Sequence, residues 1–216
     1  CQKLTAFTVE SGNNNYSANS LGILLTADGT EIVRYPCGKT TTSYSVPASI
    51  LSIEKGAFKG AQYLTSFSAG SSISIIPEYC FADCPALQSV TLASSVQTLD
   101  SYSFVNCDSL SSVSIPGVRQ INNYAFAQCN SLSSFTATSK LTTVNDFVFV
   151  NCGALTSVDF SLATTKIGKY AFCNCKSLAS IKLLSTLREI SEGTFSGCSA
   201  ITSFTIPAGV KTIGAY

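Results

Sequence analysis

The sequence predicts an α/β solenoid. Repeats of about 23 residues stack on one another, with a parallel strand sheet on one face and short helical or 3-10 turns on the other. Three observations carry that prediction. Phe58, Phe81, Phe104, Phe126, Phe149, Phe172 and Phe195 follow one another at 23, 23, 22, 23, 23 and 23 residues. Four further apolar columns keep the same step, among them Ala61, Cys84, Cys107, Cys129, Cys152, Cys175 and Cys198, three residues after each Phe. Beyond each Cys, stretches such as SVTL and SVSI alternate in the period of a strand.

Each element follows from its column. Leu64, Leu87, Leu110, Leu132, Leu155, Leu178 and Ile201 stand six residues after the Phe, and Phe67, Val90, Val113, Phe135, Val158, Ile181 and Phe204 nine after it. These inward positions frame the strand. Ile53, Ile76, Leu99, Ile121, Val144, Ile167 and Ile190 stand five residues before the Phe. Stretches such as YAFAQC turn the Phe inward, which predicts a tight turn of helix or 3-10. One repeat cannot bury its own apolar side, so neighbours must cover it and stability grows by stacking.

The period breaks between Val9 and Ile53. GILLTADGTEIVRYP places Asp28-Gly29 between two apolar runs, the strongest short-range hairpin signal. It predicts a β-hairpin inserted near the N-terminus, with return to register through Tyr44, Val46, Pro47 and Ile50. The chain is expected to be one domain, 1–216, with an irregular repeat over 1–52 and regular repeats over 53–216. Cys1, Leu4, Phe7 and Val9 match repeat columns, and Ile213 opens a further repeat, so the chain is expected to be a piece of a longer protein.

Composition narrows the function. Only 12% of residues are charged, about half the usual share, and roughly a quarter are Ser or Thr. The net charge of +1 leaves no electrostatic footprint for nucleic acid. The first half, to Asp108, is acidic, whereas the chain from Arg119 onward is basic, a mild asymmetry expected of solvated surface. No run approaches the ~18 apolar residues of a membrane-spanning helix. With no His, Ser–His and Cys–His nucleophile schemes are excluded. The carboxylates are scattered, and phosphate-cradling glycine motifs are absent. No enzyme activity and no cofactor are expected.

Ten cysteines raise the question of disulfides or metal. Six share one column whose Cβ vectors run parallel, which disfavours bridging although stacked repeats lie ~4.8 Å apart. Buried thiols that pack as small apolar groups are the expectation. Cys80 with Cys84, or Cys173 with Cys175, falls short of the four ligands that zinc needs. Asn15-Tyr16-Ser17 is a formal glycosylation acceptor, meaningful only in a eukaryotic secretory source.

Blocks such as SYSFVNCDSLSSVSIP and GTFSGCSAITSFTIP, with their joint Phe, Cys, Leu and Ile columns, resemble the BspA-like (Treponema pallidum type) class of leucine-rich repeat. The likeness covers Ile53 to the end, and the hairpin segment is similar to a repeat found inside such proteins. Ala61 departs from the Cys column, and Pro stands at strand ends only at Pro116 and Pro207. The resemblance implies secreted or surface-anchored bacterial proteins, with relatives in protist parasites. It also implies adhesion to a protein or glycan on host or microbial surfaces.

The outward strand face is the patterned surface. Ser66, Ser89, Ser112, Ser134, Ser157, Ser180 and Ser203 form a complete serine column eight residues after each Phe. Ser68, Thr91, Ser114, Thr136, Asp159, Lys182 and Thr205 follow two residues on. Small hydroxyls suit a tightly stacked sheet and by themselves need no ligand. Asp159 and Lys182 are the only charges on that face, so a partner is expected over Ser134, Thr136, Ser157, Asp159, Ser180, Lys182, Ser203 and Thr205. The alternative is a structural spacer that holds other domains outward.

Overall fold

The structure is a computed structural model that describes residues 1–215. The chain opens with a meander of β1 (Tyr16–Ala18), β2 (Leu24–Thr26) and β3 (Glu31–Arg34), paired antiparallel. Asp28 builds the expected turn between β2 and β3. Its Oδ1 accepts from Thr26 Oγ1 at 2.6 Å and from the Thr30 amide at 3.1 Å. Gly29 supplies the φ of +71° that this turn requires.

Each later turn adds two short strands. They are β4 (Ser43–Ser45) and β5 (Ser52–Ile53), β6 (Ser66–Ser68) and β7 (Ile75–Ile76), then β8 (Ser89–Thr91) and β9 (Thr98–Leu99). Next come β10 (Ser112–Ser114) and β11 (Gln120–Ile121), then β12 (Ser134–Thr136) and β13 (Thr143–Val144). The series ends with β14 (Ser157–Phe160) and β15 (Lys166–Ile167), β16 (Ser180–Leu183) and β17 (Glu189–Ile190), and last β18 (Thr212–Ile213).

The serine-column strands form the outward face, and the strands before each Phe form a second parallel row along the side. The sequence reading expected one sheet. Side-row strands are only two residues long, too short to show an alternation. The side row runs unbroken from β7 to β15, whereas β5 pairs with β3 of the meander in a separate sheet.

The expected helical or 3-10 turns are a correction: among the described residues there is no helix of any kind. The reason lies in the backbone hydrogen bonds. Around Phe126, the amides of Tyr124, Phe126 and Gln128 donate to Asp146, Val148 and Val150 of the next repeat at 2.9–3.2 Å. The amides between them, Ala125, Ala127 and Cys129, close turns onto the residue three before, at 3.1–3.3 Å. A helix would spend every amide internally; here alternate amides stitch repeats together. Tyr124 (φ 60°) and Gln128 (φ 59°) sit in the left-handed region, which a right-handed helix cannot accommodate.

Inside, the Phe column is one stack. Successive rings from Phe58 to Phe195 lie 5.0–5.6 Å apart. Tyr35 extends it by one ring, 5.1 Å from Phe58. Phe135 and Phe160 reach the stack from the strand face, so face and turns lie on opposite sides of one core. Each column thiol of Cys84, Cys107, Cys129, Cys152, Cys175 and Cys198 donates to the Phe carbonyl of the preceding repeat at 3.0–3.3 Å. All ten cysteines are free.

Candidate functional site

The candidate face is built by β12, β14 and β16. Parallel register places Ser134, Ser157 and Ser180 side by side, and Thr136, Asp159 and Lys182 beside them. The inward partners Phe135, Val158 and Ile181 sit in or against the core, so alternation leaves the hydroxyls and the two charges outward.

The pair expected from the sequence forms. Lys182 Nζ stands 3.4 Å from Asp159 Oδ2, with the lysine side chain 68% exposed and the aspartate 30%. Asp159 is also fixed from its own strand. Oδ1 accepts from Ser161 Oγ at 2.6 Å and from the Ser161 amide at 3.0 Å. The Ser161 hydroxyl and amide, and after them Lys182, hold the Asp159 carboxyl below its usual range. The result is a fixed carboxylate beside a free-reaching ammonium, set in a lawn of hydroxyls.

Two expected members do not join. Residues 201–207 form no strand, so Ser203 and Thr205 flank the sheet at its open edge beside β16. The face is also divided: β4-β6-β8-β10 is one sheet and β12-β14-β16 another. The division coincides with the 22-residue repeat, whose loop from Ile115 to Gln120 is one residue short. Gly117 in that loop lies so close to Ser94 that a Cβ would meet its carbonyl oxygen at 2.1 Å.

Nothing on the face is a catalytic constellation. Among the described residues, no group of three or more His, Cys, Asp or Glu is arranged to hold a metal ion. Burial pushes up the thiols of Cys107, Cys129, Cys152, Cys175 and Cys198, Cys152 to about 12 and Cys198 to about 11, which makes them poor nucleophiles.

One outward feature was missed. Two residues before the Phe column stand Tyr79, Tyr102, Tyr124, Phe147 and Tyr170, half-buried along the turn side, with ring centroids 4.7–5.1 Å apart. The signal was present in the sequence, since these aromatics keep the repeat period. A turn imagined as helical gave no reason to expect them to stack.

The repeat columns and their parallel stacking agree with sequence comparison. The BspA type Leucine rich repeat region (6 copies) matches residues 35–146 and 112–216. The chain belongs to this family. Its members are leucine-rich-repeat proteins, generally non-catalytic, and the family supports a repeat-based binding or scaffold role. A search of curated proteins found no match.

Solved structures of low identity share the fold. The Treponema pallidum leucine-rich repeat protein TpLRR is 21% identical with a TM-score of 0.70, over 90% of this chain and 91% of that one. A leucine-rich repeat protein from Eubacterium ventriosum is 19% identical with a TM-score of 0.66, over 98% of this chain and 51% of that one. The pneumococcal vaccine antigen PcpA is 20% identical with a TM-score of 0.52, over 97% of this chain and 45% of that one. This chain thus spans about half of the Eubacterium and pneumococcal chains and nearly all of TpLRR. Among the described residues no helix is long and apolar enough to cross a membrane.

Proposed function

We propose that the chain is a non-catalytic recognition module displayed outside the cell, which adheres to a protein or glycan of a host or microbial surface. The partner lies along the β12-β14-β16 face, over Ser134, Thr136, Ser157, Asp159, Ser180 and Lys182, with Ser203 and Thr205 at its edge. The observation that carries this is the Asp159–Lys182 pair, the one charged feature on a hydroxyl face, with a lysine side chain that remains 68% exposed. Exposed hydroxyls can bond either ligand class, and the pair gives the partner an orientation. Surface display is supported by the family resemblance and by the description of PcpA as a vaccine antigen.

A panel of immobilised matrix proteins, arrayed glycans and bacterial cells tests the reading. Saturable binding is expected, and it should fall in Ser157→Arg and Ser180→Arg, whose side chains do not support the core. Silence across the panel would favour a spacer instead, a reading that the divided, small-chained face also fits. Normal binding by both variants would move the site elsewhere, first to the hairpin around Asp28.

A further inference from the structure

We propose a second binding surface across the core from the strand face. The aromatic ladder Tyr79–Tyr102–Tyr124–Phe147–Tyr170 takes an extended β-linked glycan laid along the solenoid axis, one sugar per rung. The rungs are 4.7, 4.9, 4.7 and 5.1 Å apart, with ring planes within 7° of parallel. All five residues hold φ between 53° and 60°, a region that penalises any side chain with a Cβ. In the same column Gly56 and Gly193 take that conformation freely, at φ 67° and 60°. Five successive repeats therefore keep an aromatic ring where glycine would relieve strain.

Stacking accounts for the rings but not for their hydroxyls. Phe147 stacks as well as its neighbours without one, 4.7 Å from Tyr124 and 5.1 Å from Tyr170. The hydroxyls of Tyr79, Tyr102 and Tyr124 have no protein partner, and none is among the buried unsatisfied groups, so they meet water. Tyr170 differs, because its hydroxyl donates to Glu192 Oε1 at 2.8 Å. The inner rungs cover each other's faces, and Lys55 and Lys59 Nζ lie over the Tyr79 ring, each 5.3 Å from its centroid. Ring edges and a row of hydroxyls are what remains for a ligand.

The period selects the ligand. An extended β-1,4-linked glycan advances by nearly one rung per sugar and turns over at each link, so it presents the same edge to every second rung and stays in step over two-rung intervals. An extended peptide repeats its side chains on one face about every 6.6 Å and falls out of step within two rungs. The ladder is also one ring wide, whereas a stable protein interface needs about 800 Å² per partner. Four residues on from the rings runs a row of amides and a carboxylate. Asn106 Nδ2 donates to Asp83 at 2.8 Å and Asn174 Nδ2 to Asn151 at 3.1 Å, and this row offers further partners to sugar hydroxyls. The ladder and the β12-β14-β16 face share no residue, so either can fail alone.

Titration calorimetry with cellobiose through cellohexaose, and with chitohexaose, tests this on the chain as it stands. Affinity should climb with each added sugar and level off at about five, one per rung. Maltohexaose, whose α-links curl the chain, should bind less well. Tyr124→Phe should weaken cellohexaose binding about three- to tenfold, the worth of one neutral hydrogen bond. Phe147→Tyr should strengthen it, because it lengthens the free hydroxyl row, and neither variant should shift the melting temperature. Length-independent affinity, equal binding of maltohexaose, unchanged binding by Tyr124→Phe, or no heat with either β-linked hexamer at millimolar sugar would each overturn the proposal. So would a protein partner whose binding is lost in Tyr124→Phe while glycans stay silent, since that would make the ladder a protein site.

Discussion

The two parallel rows respond differently to the same irregularity. At the 22-residue repeat the side row passes without interruption through β9, β11 and β13, whereas the strand face stops at β10 and starts again at β12. The turn bonds are likewise unbroken there, with Phe104 and Asn106 donating to Ala125 and Ala127 of the next repeat at 2.8 and 3.0 Å. Register is therefore carried by the turns, the Phe stack and the side row. At this repeat the face is the slack element and loses a strand pairing without loss of the solenoid, as the side row does between β5 and β7 and between β15 and β17.

The sharpest way to break that comparison is to strike the load-carrying side at two depths. Phe149 is fully buried between Phe126 and Phe172, 5.5 and 5.3 Å away. Phe149→Ala should cost about 3–5 kcal/mol in a denaturant melt, because the cavity opens in mid-stack. Phe195 is only partly buried, with Phe172 on one side and an apolar recess of about 340 Å³ on the other. Phe195→Ala should cost clearly less. Equal losses would contradict stability by nearest-neighbour stacking.

The thiols probe the same layer. Cys84, Cys107, Cys129, Cys152, Cys175 and Cys198 are buried and bonded to carbonyls of the preceding repeat, whereas Cys1 is exposed. A thiol reagent should label Cys1 in the native protein and reach the column only on unfolding. Prompt native labelling of Cys129 or Cys152 would show that the turn side opens locally. Peptide maps with bridges between successive column cysteines would contradict the thiol column outright.

Hydrogen exchange reads the face itself. The Leu92 amide donates to Ser114 at 3.0 Å and the Ala137 amide to Asp159 at 2.8 Å. Ile115 holds the equivalent place in the 22-residue repeat, and its amide has no such partner in β12. Its exchange should be faster than that of Leu92 and Ala137, while side-row amides such as Asn122 and Asn145 stay protected on both sides of the gap. Equal protection at all three face positions would mean that the face is continuous in solution.

How much of this was legible depended on whether the information is local. The Phe, Cys, Leu and Ser columns recur in the sequence and correspond to the core stack, the thiol row and the face strands. Asp28-Gly29 marked the hairpin because the turn is satisfied by its own residues. The absence of helix was not legible, since the amides of Tyr124, Phe126 and Gln128 find acceptors one repeat away. The side row escaped because pairs such as Ile75–Ile76 are too short to alternate. Tyr35 was hidden by its chemistry, a Tyr in place of the column Phe directly after the hairpin. In the candidate site the Asp159–Lys182 contact followed from register alone, but the hold of Ser161 on Asp159 needed the chain's bend after β14.

That bend sets the smallest effect. An exposed cross-strand ion pair ordinarily contributes about 0–1 kcal/mol, screened by salt. Here Asp159 is held more by Ser161 than by Lys182, so the two partners should not be equivalent. Lys182→Ala should leave the melting temperature nearly unchanged, and Asp159→Ala should lower it slightly more, because the Ser161 hydroxyl and amide lose their acceptor. The pH dependence has a defined sign. A carboxyl whose folded pKa is lowered binds its proton more readily in the unfolded chain, so its contribution is complete above the ordinary carboxylate value of about 4. It is lost as pH falls through the lowered value. Melting curves of the wild type and Asp159→Asn between neutral pH and pH 3 should therefore converge on acidification, and added salt should narrow the gap only in part, since the Ser161 bonds are short-ranged. A Lys182→Ala penalty as large as that of Asp159→Ala, or a gap erased by salt, would make the pair rather than the turn the source of the hold. The face would then depend on its charges for order as well as for recognition.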